Sequence, residues 1–182
     1  MRHRSTSDAE RDRAADSSSA SSPATPRVRQ IRDGAVGGFV ATLVMTAYRL
    51  PISRSLPPTA RFWALYVAGG DEDDYPVPAL VLHLLYGTVA GAVFGAAGAL
   101  VGRDDRTATD PDEEARREEV GLLAGVSYAL ALSWVGERVL LRGLLGMDPE
   151  RDESLVFHVG HAVYGLTLGT WVGSRASHEN RD

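Results

Sequence analysis

The chain of 182 residues contains no cysteine. That absence excludes disulfides, zinc–thiolate sites, thiol nucleophiles and the local motif that attaches a c-type haem. There is no lysine either, so all 19 basic residues are arginine. Acids outnumber bases by 24 to 19, and a net charge of −5 argues against a nucleic-acid-binding surface. Motifs that announce a reaction are also missing: there is no H-E-x-x-H, no G-x-S-x-G and no P-loop. The glycines of "GAVGGF" at 34–39 imitate a dinucleotide fingerprint only superficially, because no strand precedes them.

What the chain does have is charge in clusters and apolar residues in blocks. The acids collect as "DEDD" at 71–74, "DPDEEARREE" at 110–119 and "DPERDE" at 148–153. A lysine-free, acid-rich surface stays hydrated in concentrated salt, so the composition is that of a salt-loving archaeon; codon bias in a GC-rich genome is the alternative. Residues 1–30 are Arg, Asp, Ser and Ala around "SSSASSPATP". Such a segment cannot bury enough apolar surface to offset its ordering entropy, so a disordered tail is expected there.

Four apolar blocks follow, at about 34–52, 77–101, 120–141 and 155–174. A bilayer core of about 30 Å needs about 20 helical residues, and each block is near that length. Blocks two to four are apolar on every face, whereas a soluble helix keeps a polar side. The expected fold class is all-α: an integral membrane four-helix bundle over 31–176, with a short C-terminal tail at 177–182. An even number of spans puts both termini on one side. That side carries Arg27, Arg29, Arg32, Arg103, Arg106, Arg116, Arg117, Arg175 and Arg181. The opposite side carries Arg49, Arg54, Arg61, Arg138, Arg142 and Arg151. The excess favours cytoplasmic termini in a multi-pass protein of the cell membrane. Trp63 and Tyr66 in the first outer loop mark a short interfacial helix.

One pattern is written twice. "HLLYGTVAGAVFG" from His83 and "HAVYGLTLGTWVG" from His161 both read H-x-x-Y-G-x-x-x-G-x-x-x-G. Each copy ends a unit of two apolar blocks, so the chain reads as two hairpins in parallel repeat, 34–102 and 119–175. Residues four apart share a helix ridge. Gly87, Gly91 and Gly95 form one glycine zipper and Gly165, Gly169 and Gly173 another. Bare ridges let backbones approach, which is a main source of helix association in lipid. The expected arrangement crosses blocks two and four ridge to ridge at the centre of the bundle, with His83 facing His161. Its rival seats each ridge against block one or block three, or against another subunit.

Ionisable residues inside a span face protein or water. The candidate polar or ligand site is therefore His83, Tyr86, His158, His161 and Tyr164, with Glu137 from block three. Packing is the first reading of this set, as a cap of imidazoles and hydroxyls bonded to backbone. Proton-responsive or solute-conducting chemistry is a second, because imidazole titrates near neutrality. A haem or divalent-metal site built from the paired histidines is a third. Trp134 and Arg138, four apart, are a candidate cation–π pair, and Glu137 is a candidate acceptor from a neighbouring His or Arg.

The H-x-x-Y-G-x-x-x-G helices, carried by "HLLYG" and "HAVYG", resemble those of the YagU-like group of small inner-membrane proteins. The resemblance covers 34–175 and implies a multi-helix membrane protein; it brings no catalytic residue. The expectation is a non-enzymatic membrane protein, structural, accessory or transport-related. It needs no cofactor, its partner is the lipid bilayer, and a homo-oligomer is a candidate state. The alternative is a haem- or metal-binding redox protein.

Overall fold

The computed structural model describes residues 25–52, 56–100 and 111–178. Helices make up nearly all of them, and there is no strand among the described residues. Helix α1 is Pro26–Arg49 and α2 is Thr59–Trp63, which continues as a π-helical turn over Ala64–Ala68. Helix α3 is Pro76–Leu100. Helix α4 is Pro111–Val135 and widens into a π-helix over Gly136–Leu144. Helix α5 is Arg151–His178.

The ends follow local chemistry. Pro26 opens α1, where its missing N–H would have had no partner. Leu50 keeps a helical φ and ψ and still donates to the Thr46 carbonyl, and α1 stops at Pro51 because proline has no N–H to continue the ladder. Positive φ at Gly69, Gly70 and Gly146 turns the chain out of the two π segments. Asp152 and Glu153 occupy the first turn of α5, and Glu153 accepts the Glu150 N–H at 3.1 Å.

These boundaries correct the sequence-based expectation in two places. The first helix begins at Pro26, inside the stretch read as tail, and ends at Arg49 rather than at residue 52. Residues 1–24 and 179–182 lie outside the described residues. Three helices are long and apolar enough to cross a membrane: Pro76–Ala99, Glu118–Leu144 and Arg151–Arg175. Helix α1 is not among them. Its apolar run is bounded by Arg32 and Asp33 on one side and Arg49 on the other, which leaves it short.

Packing is pairwise. Helix α1 lies antiparallel against α3, and α4 lies antiparallel against α5; α1 also packs along α5. The connections within each pair meet at the end away from the termini, called here the loop end. Arg61 Nε donates to the Leu145 carbonyl at 2.9 Å, and Tyr66 Oη donates to the Leu144 carbonyl at 2.7 Å. Those carbonyls close the π-helix, where acceptors have no partner within the helix, so the first connection caps the second. The buried core of Ala41, Met45, Ala90, Phe94, Ala129, Tyr164 and Leu168 lies between the two pairs. Leucines and valines elsewhere on α3, α4 and α5 point outward.

Candidate polar site at the loop end

Each glycine ridge is covered by the first helix of its own pair. A Cβ on Gly91 would run into the Gly34 carbonyl and lie 2.6 Å from Gly38 Cα. A Cβ on Gly87 would collide with the Thr42 hydroxyl, and one on Gly95 with the Gln30 carbonyl. The second pair repeats these contacts. A Cβ on Gly165 would lie 2.6 Å from the Gly125 carbonyl and 2.7 Å from Ala129 Cβ, and one on Gly169 would meet the Gly121 carbonyl at 2.6 Å. A Cβ on Gly121 would sit 3.3 Å from Gly173 Cα. The ridge-to-ridge crossing of blocks two and four is therefore not what forms; the rival arrangement is. Its cause was present in the sequence. Gly34, Gly38 and Thr42, and likewise Gly121, Gly125 and Ala129, are small-residue ridges at the same spacing of four.

The two histidines still share a pocket. His83 and His161 are buried and line, with Tyr86, Tyr164, Thr42 and Leu132, a gap of about 210 Å³ including its open mouth. Its closed part has room for about one water. The His161 Nδ1 lies 2.9 Å from the Phe157 carbonyl. A carbonyl only accepts, so Nδ1 carries the proton and Nε2 keeps the lone pair. Tyr164 Oη donates to the Gly87 carbonyl at 2.7 Å, and Tyr128 Oη donates to the Ala90 carbonyl at 2.9 Å. Both bonds tie the second pair to α3. The equivalence of the two tyrosines ends there, since Tyr164 is 2% exposed and Tyr86 is 41% exposed. Arg49 does not reach straight for the surface. Its Cδ lies 3.8 Å from where a Cβ on Gly160 would stand, against α5.

A second cluster joins α4 to α5. His158 Nε2 lies 2.9 Å from Glu137 Oε2, and His158 Nδ1 lies 2.9 Å from Ser133 Oγ. Ser133 Oγ also lies 2.9 Å from the Leu130 carbonyl. On the other side, Arg142 Nη2 donates to Glu137 Oε1 at 2.9 Å, and Arg142 Nη1 pairs with Asp148 Oδ1 at 3.4 Å. Glu137 and Arg142 are five apart. On an α-helix of 3.6 residues per turn they would diverge by about 140°. The wider i→i+5 turn of the π-helix swings them together. Sequence reasoning named Glu137 and His158 but missed Ser133 and the bond to Arg142.

The chemistry open to this cluster is limited by burial. Ser133, His158 and Glu137 have the residue types of a hydrolytic triad, yet Ser133 is 0% exposed and its oxygen sits between an imidazole and a backbone carbonyl. No substrate carbonyl can approach it in this arrangement. Ser133 Oγ, with a single proton, is shared between the His158 ring and the Leu130 carbonyl. Cofactors fit poorly. Among the described residues no three His, Asp or Glu side chains converge as a metal site requires. A cofactor-sized ligand needs roughly 300–1,000 Å³, so the gap between His83 and His161 does not accommodate a haem. Arg138 lies over Trp134 at 5.4 Å, and Arg175 over Trp171 at 4.6 Å.

No family model matches the chain, and neither a curated protein nor a solved structure is detectably similar to it.

Proposed function

We propose that this is a non-enzymatic, multi-pass protein of the cell membrane, structural or accessory in role, built as two duplicated helix hairpins that span the bilayer four times. What supports this reading is the distribution of polarity. The outward side chains of α3, α4 and α5 include Val81, Leu85, Val89, Val93, Leu123, Leu130, Leu155 and Leu166. Several buried polar groups instead point inward onto partners, Thr42 onto the Gly38 carbonyl, Tyr164 onto Gly87, and Glu137 onto His158 and Arg142, while the buried Trp171 indole nitrogen has none among the described residues. That is the arrangement lipid demands, where an unpaired polar group costs several kcal/mol and an apolar surface costs nothing. In this reading α1 is the fourth span, its short apolar run accommodated by local thinning of the bilayer and by the close packing on α3 that Gly34 and Gly38 allow. The resemblance to the YagU-like group belongs to the same proposal, as does assembly into a homo-oligomer if the protein serves transport.

Alkaline carbonate extraction of membranes from expressing cells tests the reading. The protein should stay in the pellet and leave it only with detergent. Release into the carbonate supernatant would overturn it.

A further inference from the structure

Two arginines are stacked on aromatic rings. Arg61 serves Leu145 and Glu72, and Arg142 serves Glu137 and Asp148. Arg138 and Arg175, both exposed, take part in none of the ion pairs between described residues. Each instead lies on the face of a tryptophan four residues earlier in its own helix, Trp134 and Trp171. In both pairs the indole is nearer the middle of the helix and the guanidinium nearer its end. The pairs sit at opposite ends of the molecule, Arg138 at the loop end of α4 and Arg175 at the termini end of α5.

The register of α4 on α5 gives their separation. Gly125 packs between Gly165 and Gly169, and Gly121 between Gly169 and Gly173. Gly125 is thus level with Thr167, and Gly121 with Trp171. Carried to the loop end, this register sets Arg138 level with Ser154 and Trp134 level with His158, in keeping with the Ser133–His158 bond. At 1.5 Å per residue, the Cα planes of Arg138 and Arg175 are about 31 Å apart and those of Trp134 and Trp171 about 20 Å apart, and each guanidinium, folded back onto its indole, lies between these levels. The hydrocarbon core of a bilayer is about 30 Å thick. Between the two arginine planes α5 has no carboxylate and no arginine.

We propose that Arg138 and Arg175 bind lipid headgroup phosphates at opposite faces of the bilayer, with Trp134 and Trp171 one turn below them as the interfacial anchors. The inference rests on the membrane reading above. A guanidinium laid on an indole is held in one orientation, and the indole's attraction for it grows as water is excluded. Its N–H edge stays free and matches two phosphate oxygens at once, which an ammonium does less well. Trp134 faces outward, while Trp171 is half-buried with its ring against Gly37, so the termini-end anchor is also fixed by protein packing.

Depth-resolved quenching tests the spacing. Two single-tryptophan proteins, Trp63→Phe with Trp171→Phe and Trp63→Phe with Trp134→Phe, are placed in phospholipid vesicles brominated near the headgroup or near the chain end. Both indoles should be quenched more strongly by the shallow bromines. Stronger quenching of either by the deep bromines would overturn the anchor assignment. Absence of quenching at any depth would overturn the membrane reading itself. The phosphate contact is tested with all tryptophans present, by native mass spectrometry from mixed phospholipid and neutral glycolipid. The Arg138→Gln, Arg175→Gln double variant should lose retained phospholipid relative to glycolipid. Retention unchanged from the parent would overturn the phosphate assignment.

Discussion

At the scale of single residues, the two motif copies place the same side chain in different surroundings. Tyr86 and Tyr164 hold the same position in their motifs, yet only Tyr164 is sealed and bonded to a backbone carbonyl of the other pair. Tyr164→Phe removes an interhelical bond whose acceptor keeps its own helical partner, so a loss of roughly 0.5–1 kcal/mol is expected. Tyr86→Phe should be close to neutral. Thermal unfolding of the two variants in one detergent checks the difference, and equal effects would mean the pairs are symmetric in solution. The Ser133–His158–Glu137–Arg142 chain makes a stronger demand. Glu137→Gln keeps an acceptor but removes the charge that both His158 and Arg142 face. Hydrogen bonds to charged groups contribute roughly 1.5–3 kcal/mol. The expected loss lies at the low end, because the Arg142 side chain is 46% exposed and water screens it. Ser133→Ala should destabilise by about 1 kcal/mol and loosen α5 at His158. A Glu137→Gln protein as stable as its parent would show that the ion pairs are surface contacts without weight.

At the scale of elements, the close approach of helices within each pair is the feature on which the rest depends. Gly91→Leu should separate α1 from α3, since even the first added carbon lies 2.6 Å from Gly38 Cα. Gly136→Ala is the control: its Cβ would meet only the Phe157 ring at 3.5 Å, an ordinary contact. The absence of cysteine gives a clean background for a second check. A Thr42→Cys, Gly87→Cys protein should form a disulfide, because a Cβ at 87 stands 3.0 Å from the Cβ of Thr42, closer than the roughly 3.5–4.5 Å of a disulfide by a margin that a small parting of the helices closes. Gly91→Cys with Gly169→Cys should not, as those glycines face different helices. The opposite result would restore the crossing of α3 on α5. Much of this was legible in the chain. Apolar runs gave the helical class, and small residues at a spacing of four gave the ridges. Which ridge meets which was not, because a ridge of glycines states that a backbone comes close without stating whose. The Glu137–Arg142 contact was illegible for another reason: a π-helix leaves no periodicity of its own in nine residues, so an i,i+5 pair reads as two residues on different faces.

At the scale of the whole molecule, the remaining question is direction. The two helix pairs run the same way, so all long connections within pairs lie at the loop end and both termini at the other. The arginines counted from the sequence favour the termini side, and the described ends of the helices sharpen the count. Arg27, Arg29 and Arg32 fall within the first two turns of α1, and Arg175 in the last turns of α5, where positive charge bears on insertion. At the loop end, Arg61 and Arg142 are each engaged by a carboxylate of the protein, Glu72 and Glu137. Arg32 is paired likewise, with Asp33 at 3.5 Å, so ion pairing does not separate the two sides and the larger number of arginines decides. The termini are therefore expected in the cytoplasm. A reporter that is active only in the cytoplasm should work when fused after Asp182 and fail when inserted at Asp73, an exposed position of the loop-end turn. Activity at Asp73 alone would reverse the orientation while leaving the packing intact. Activity at both positions would mean that α3, α4 and α5 do not all cross, since three crossings separate residue 73 from residue 182. A reporter fused before Met1 that behaves like the one at Asp73 would mean that α1 does not cross with the others, the outcome to which its short apolar run makes it most susceptible.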